Sequence, residues 1–135
     1  MIYVTRRADF CASHFYHNSE LSPEENQRLF GKCSNLHGHG HNYRLEVTVA
    51  GDVDPRTGMV IDVGDIKKLI DSEVMQAMDH RFLNEEVPAF RTAIPTTENI
   101  AIEVWNRLDG KLAAGRLHRV RLYETADLYV DYYGE

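Results

Sequence analysis

Three features of the sequence predict an α+β fold with a four-stranded antiparallel sheet and two helices on one face. Two stretches in the first half alternate apolar and polar residues, two central stretches carry apolar stripes at helical spacing, and two more alternating stretches follow them. The order strand, strand, helix, helix, strand, strand lets one antiparallel sheet collect both helices on the same side.

The first strand is read over residues 2 to 13, with Phe10, Ala12 and His14 on one face and Asp9, Cys11 and Ser13 on the other. Ser22 followed by Pro23 is a helix-start signal, and a short helix is expected to run toward Phe30-Gly31-Lys32-Cys33. Residues 43 to 49 form the second strand, because Tyr43, Leu45, Val47 and Val49 alternate with Arg44, Glu46 and Thr48. Asp54 to Gly58 has turn chemistry, and Met59-Val60-Ile61 is expected to extend the sheet briefly.

The first long helix carries Ile66, Leu69, Ile70, Val74, Ala77 and Met78 on one stripe. Pro95-Thr96-Thr97 starts the second, whose apolar face is Ile100, Ala101, Val104, Trp105 and Leu108, and Gly110 ends it. The last strands run over 117 to 125 and 128 to 133, with the bend at Ala126-Asp127. No repeat or linker divides residues 1–135, which read as one domain. Four strands cannot close a barrel alone, so both sheet edges stay open unless other copies of the chain cover them.

At 135 residues, 43% hydrophobic and 27% charged, the composition is that of an ordinary globular protein. No apolar run approaches the ~20 residues that span a bilayer. The segment MIYVTRRADF places its arginines after a short β-branched stretch, unlike a signal peptide. A net charge of −6 argues against general nucleic-acid binding, although a local basic pocket could still take a phosphorylated small molecule. Two cysteines, Cys11 and Cys33, are too few for a disulfide framework and suggest a reducing cytoplasm.

The informative excess is in the seven histidines, three of which, His37, His39 and His41, fall within five residues. Residues i and i+2 of an extended chain point the same way, so His39 and His41 can present two imidazoles to one ion. Neutral imidazole suits zinc, and three protein ligands with one open position make a catalytic site. His14, at the end of the Phe10-Ala12 row, is the candidate third ligand. The plainer alternative is a His-rich loop with no dedicated metal.

Cys33 lies six residues before His39, close enough for its loop to fold back over a metal, where a nearby cation would favour thiolate. A small buried hydrophobe is the plainer role for a free cysteine, and mid-strand Cys11 fits it. In Asp79-His80 a carboxylate can fix an imidazole tautomer, although a histidine complementing a helix C-terminus looks the same in sequence. Glu124 continues the row of Val120 and Leu122, so the pattern puts a carboxylate on a buried face. Its two oxygens match a fused heterocycle that offers an exocyclic amine beside a ring N–H. Spacing leaves open a strand end in water.

Seven segments in order carry a family resemblance: Phe10-x-Ala12-x-His14, Gly31-Lys32-Cys33, His39-Gly40-His41-Asn42-Tyr43, Thr57-Gly58-Met59-Val60, Met78-Asp79-His80-x-x-Leu83-Asn84, Pro95-Thr96-Thr97-Glu98-Asn99 and Tyr123-Glu124-Thr125. Together they resemble the 6-pyruvoyl-tetrahydropterin synthase family. The resemblance implies the tunnelling fold, in which trimers close a barrel and two trimers stack into a hexamer. It implies zinc on His14, His39 and His41, with Cys33, Asp79 and His80 moving protons in active sites shared between subunits. Glu124 matches the pterin anchor, and Thr96 and Thr97 match a stretch lining that pocket. The implied substrate is 7,8-dihydroneopterin triphosphate, which loses triphosphate to give 6-pyruvoyl-tetrahydropterin. Lys32 and Arg81 lie near the right motifs to meet the triphosphate.

One feature departs from that pattern. His37-Gly38-His39 is itself a His-Gly-His at shorter distance from Cys33, and that spacing resembles the 6-carboxy-tetrahydropterin synthases of queuosine biosynthesis, which also cleave the side chain and release acetaldehyde. His39 and His41 are the preferred ligands because Asn42-Tyr43 follows them directly, as the family's strand start requires. A metal-binding scaffold would have no use for Cys33, Asp79, His80 and Glu124 together, and a zinc hydrolase leaves the thiol unexplained.

Overall fold

The first two strands form the longest pairing in the molecule. In the computed structural model, which describes residues 1–135, β1 (Ile2–His14) and β2 (His39–Gly51) run antiparallel in unbroken register from Ile2↔Gly51 to His14↔His39. The second strand therefore starts four residues before the alternation of Tyr43 to Val49 shows it. The histidines belong to the ladder itself.

Between these strands Ser22 caps α1 (Pro23–Phe30) by accepting the Glu25 N–H at 3.1 Å, and a 3-10 turn over Gly31–Ser34 follows. After β2, Asp54 and Met59 make one isolated bridge that closes the expected turn. Met59-Val60-Ile61 does not extend the sheet further; Val60 and Ile61 turn inward and are buried in the core.

Asp62 caps α2 (Val63–Ile70), which passes through a π turn at Asp71–Met75 into α3 (Gln76–Met78). Ile66, Ile70, Val74 and Met78 are all buried. Strict i+4 spacing drifts around an α-helix, and the wider π turn counters that drift, keeping the stripe on the sheet. Burying each of these side chains stabilises the fold by about 1.5–3 kcal/mol.

The chain then forms β3 (Arg81–Phe82), α4 (Leu83–Glu86) and a 3-10 turn at Pro88–Arg91 before α5 (Thr97–Leu108). The hairpin of β4 (Arg116–Thr125) and β5 (Leu128–Tyr132) completes the sheet. Helix α5 lays Ile100, Ala101, Val104 and Leu108 against the sheet, and Gly110 ends it with a positive φ of 78°.

The strand order is β3-β1-β2-β4-β5, with β3 parallel to β1 at Ala12 and Ser13 and every other pairing antiparallel. The expectation of four antiparallel strands is corrected to a mixed sheet of five. A two-residue strand has no periodicity to read, and its partner lies about seventy positions away.

Both long helical stretches pack on one face, where Phe10, Tyr43, Leu45, Val47, Val120 and Leu122 meet them in a single core. The opposite face is polar: Arg7 pairs with Glu46 at 2.9 Å and Arg121 with Asp131 at 2.7 Å. Cys11 belongs to this uncovered face and is exposed, against the expectation that it fills the core. No helix is long and apolar enough to cross a membrane.

Candidate metal centre and active site

Register builds the first part of the site. His14 pairs with His39 and Ala12 with His41, so alternation turns all three imidazoles to the helix side at one end of the sheet. Their ligand atoms all lie within 4.8 Å of one another, and the Nε2 atoms of His14 and His39 are 3.2 Å apart.

The other nitrogen of His14 is fixed from behind. Its Nδ1–H donates to the Pro95 carbonyl at 2.8 Å, and the Tyr43 hydroxyl lies 3.2 Å away, which leaves the Nε2 lone pair facing the cluster. Desolvation of the fully buried ring lowers the His14 pKa to about 4, and the backbone bond to Pro95 opposes this only in part. His41 is lowered as well, first by burial. Its Nε2 is buried with no hydrogen-bond partner. Neutral imidazoles and an unpaired inward nitrogen suit a divalent cation, which would fill the gap between the rings.

Glu124 sits beside this cluster at the end of β4. One oxygen, Oε2, accepts from the Thr97 hydroxyl at 2.7 Å and from the Tyr16 phenol at 3.3 Å. The other, Oε1, is 3.7 Å from His41 Nε2. The row of Val120 and Leu122 thus carries its carboxylate inward, not into water. Thr96 has a different role from Thr97: its hydroxyl caps α5 by accepting the Asn99 N–H at 3.2 Å. Burial and then the charge of Glu124 raise the phenols of Tyr16 and Tyr43 above their ordinary values.

Cys33 is half-buried in the 3-10 turn, and its carbonyl accepts the Tyr16 N–H at 2.7 Å. That bond ties the cysteine turn to the end of β1. His37 lies outside the cluster: Asn35 Oδ1 accepts its N–H at 3.0 Å, and the residue is exposed. Gly38 makes the reversal at φ 74° against the backbone of His14. Lys32 is exposed, and Arg81 is held by Glu86 at 3.3 Å.

Asp79 and His80 lie on the other face of the sheet. His80 has a positive φ of 61°, uncommon for a residue other than glycine, and its N–H donates to the Cys11 carbonyl at 2.6 Å. Asp79 Oδ1 accepts the Cys11 N–H at 3.0 Å and lies 2.9 Å from His80 Nδ1. The His80 side chain is 80% exposed. It borders an open cavity of about 730 Å³ lined by Asp9, Cys11, Arg44, Tyr123 and the Asp79–His80 pair among others. One chain therefore gathers His14, His39, His41, Glu124, Thr97 and the Cys33 turn, and leaves Asp79 and His80 apart from them.

The family model described as 6-pyruvoyl tetrahydropterin synthase matches residues 3–135. The chain belongs to this family. A 6-pyruvoyl tetrahydrobiopterin synthase of Pongo abelii is 49% identical over 132 residues, covering 98% of this chain and 91% of the relative. The solved structure of Caenorhabditis elegans 6-pyruvoyl tetrahydropterin synthase superposes with a TM-score of 0.94 at 38% identity, covering 99% of this chain and 96% of the other. A 6-carboxy-5,6,7,8-tetrahydropterin synthase of Rickettsia typhi is more distant, at 32% identity over 97% of this chain and 99% of its own length. Among 6-pyruvoyl tetrahydropterin synthases this chain thus carries the family fold and a histidine cluster able to hold a metal.

Sequence reasoning did not find Tyr16 or the support of His14 by Tyr43 and Pro95. Tyr16 lies beyond the end of β1, where alternation no longer says which way a side chain points.

Proposed function

We propose that this chain, acting as one domain over residues 1–135, converts 7,8-dihydroneopterin triphosphate to 6-pyruvoyl-tetrahydropterin with release of triphosphate. The observation that carries this is the convergence, in a chain that covers 91% of a 6-pyruvoyl tetrahydrobiopterin synthase, of a three-imidazole cluster and an inward carboxylate at one end of the sheet.

His14, His39 and His41 are the residues that would hold zinc. Lewis-acid polarisation of the substrate's side-chain oxygens, which acidifies the adjacent C–H bonds, is the chemistry zinc supplies there. Glu124 receives the pterin's paired ring and exocyclic N–H donors, and Thr97 keeps its carboxylate aimed. Thr96 supports that wall through its cap on α5. Cys33 accepts a side-chain proton as thiolate. His80, with Nδ1 held by Asp79, relays protons to the ring of a pterin bound in another subunit, because it faces away from its own chain's cluster. A hexamer built from two trimers, with barrels closed across the β3 and β5 edges, would bring these halves together. The two free thiols fit a reducing cytoplasm.

The second reading is a 6-carboxy-tetrahydropterin synthase acting on the same substrate. What favours it is the short Cys33–His37 spacing. The exposed position of His37 and the lower identity to the carboxy-forming relative weigh against it. Incubation with 7,8-dihydroneopterin triphosphate should yield triphosphate without acetaldehyde. Equal amounts of both would transfer the chain to the carboxy branch.

A further inference from the structure

Tyr16 touches three parts of the candidate site and has no role in the chemistry above. Its N–H fixes the Cys33 carbonyl at 2.7 Å, its ring meets His14 edge-on at 5.1 Å between centroids, and its phenol donates to Glu124 Oε2 at 3.3 Å. Phe30 of α1 also meets the ring edge-on, at 5.9 Å between centroids, so the tyrosine packs against both α1 and the cluster. Thr97 donates to the same carboxylate oxygen. Two donors from separate parts of the chain on Oε2 restrict rotation about the carboxylate's terminal bond, and Oε1 lies 3.7 Å from His41 Nε2.

We propose that Tyr16 is a positioning residue of the pterin pocket, holding the Glu124 carboxylate in the orientation that receives the ligand's paired N–H donors. This rests on the reading of Glu124 as the pterin anchor. A carboxylate free to rotate would present both oxygens to a flat heterocycle only part of the time. One held on a single oxygen by Thr97 and Tyr16 is pre-oriented, and the cost of ordering it is met on folding. The role is one of binding: the phenol acts through Glu124, not on the reacting side chain of the substrate.

The variant Tyr16→Phe removes the hydroxyl and keeps the ring, its packing and the backbone bond to Cys33. Fluorescence titration with neopterin should show about tenfold weaker binding, in line with loss of one hydrogen bond to a charged group. KM for 7,8-dihydroneopterin triphosphate should rise in parallel while kcat stays within about twofold, the signature of lost ground-state binding. Zinc content and melting temperature serve as controls that the scaffold is intact. In a Glu124→Ala background, where the acceptor is gone, the same Tyr16→Phe change should alter neopterin binding by less than about twofold. Unchanged or tighter binding in the single variant, a fall in kcat at constant KM, or a full tenfold loss that persists in the Glu124→Ala background would each overturn the proposal. Those outcomes leave the anchor itself standing. Wild-type affinity in Glu124→Ala alone would instead remove the anchor, and the proposal with it.

Discussion

The two faces of the sheet handle their ionisable groups in opposite ways. On the helix side, His14 is fully buried, Pro95 and Tyr43 brace one nitrogen, and Glu124 is held by Thr97 and Tyr16. On the other side, the Asp79–His80 pair is anchored to the backbone of Cys11, yet the imidazole projects almost wholly into solvent. Burial and double support hold these groups in place within one chain. The His80 ring, on a left-handed backbone, borders an open cavity, and the proposed function gives it a pterin bound in another subunit to act on. On the proposed function, the contrast assigns binding to one face and proton transfer to the other.

Substitutions on the two faces should separate these roles. The largest effect is expected from His14→Ala, which removes a buried candidate ligand: metal analysis should find the zinc lost, and turnover should fall by roughly a thousandfold or more. Full zinc content in that variant would dissolve the cluster's assignment. His80→Ala should lower turnover by about 10²–10⁴-fold, the usual range for a positioned acid–base group, with zinc and neopterin binding intact. Weakened binding there would put His80 in the pocket wall instead.

Glu124→Ala is expected to weaken neopterin binding by about 2–5 kcal/mol, as truncating one partner of a buried charged hydrogen bond does, and to leave zinc and oligomeric mass unchanged. His37→Ala, on an exposed turn outside the cluster, should change zinc content and turnover by less than about twofold. A large loss of zinc in that variant would make the shorter His-Gly-His the meaningful pair.

Much of this was legible in the sequence because strand alternation is a strong constraint. Phe10, Ala12 and His14 had to share a face; the register that sets His14 against His39 is shown only by the structure, since the alternation marks β2 from Tyr43. The row of Val120 and Leu122 pointed Glu124 to the same face, and its bonds to Thr97 and Tyr16 exclude the strand end in water that spacing left open. What the sequence concealed lies where periodicity ends. Strand β3 is two residues long, α4 a single turn, and Tyr16 sits on irregular chain, so no pattern announces any of them. The wrong placing of Cys11 has a different cause. Its face was correct, but nothing local states that this face is left without helices.

The proposed division of the site between chains is tested most directly by mixing two inactive variants. Cys33→Ala and His80→Ala chains are unfolded together in equal amounts, refolded with zinc and assayed for triphosphate release. If Cys33 of one subunit works with His80 of its neighbour, random assembly gives each site both residues with a chance of one half times one half, so about a quarter of wild-type activity should return. If every site is built from one chain, no mixed oligomer contains a complete site. Activity that stays at the level of the separate variants, in mixtures whose sedimentation shows the oligomer re-formed, would contradict a site shared between subunits.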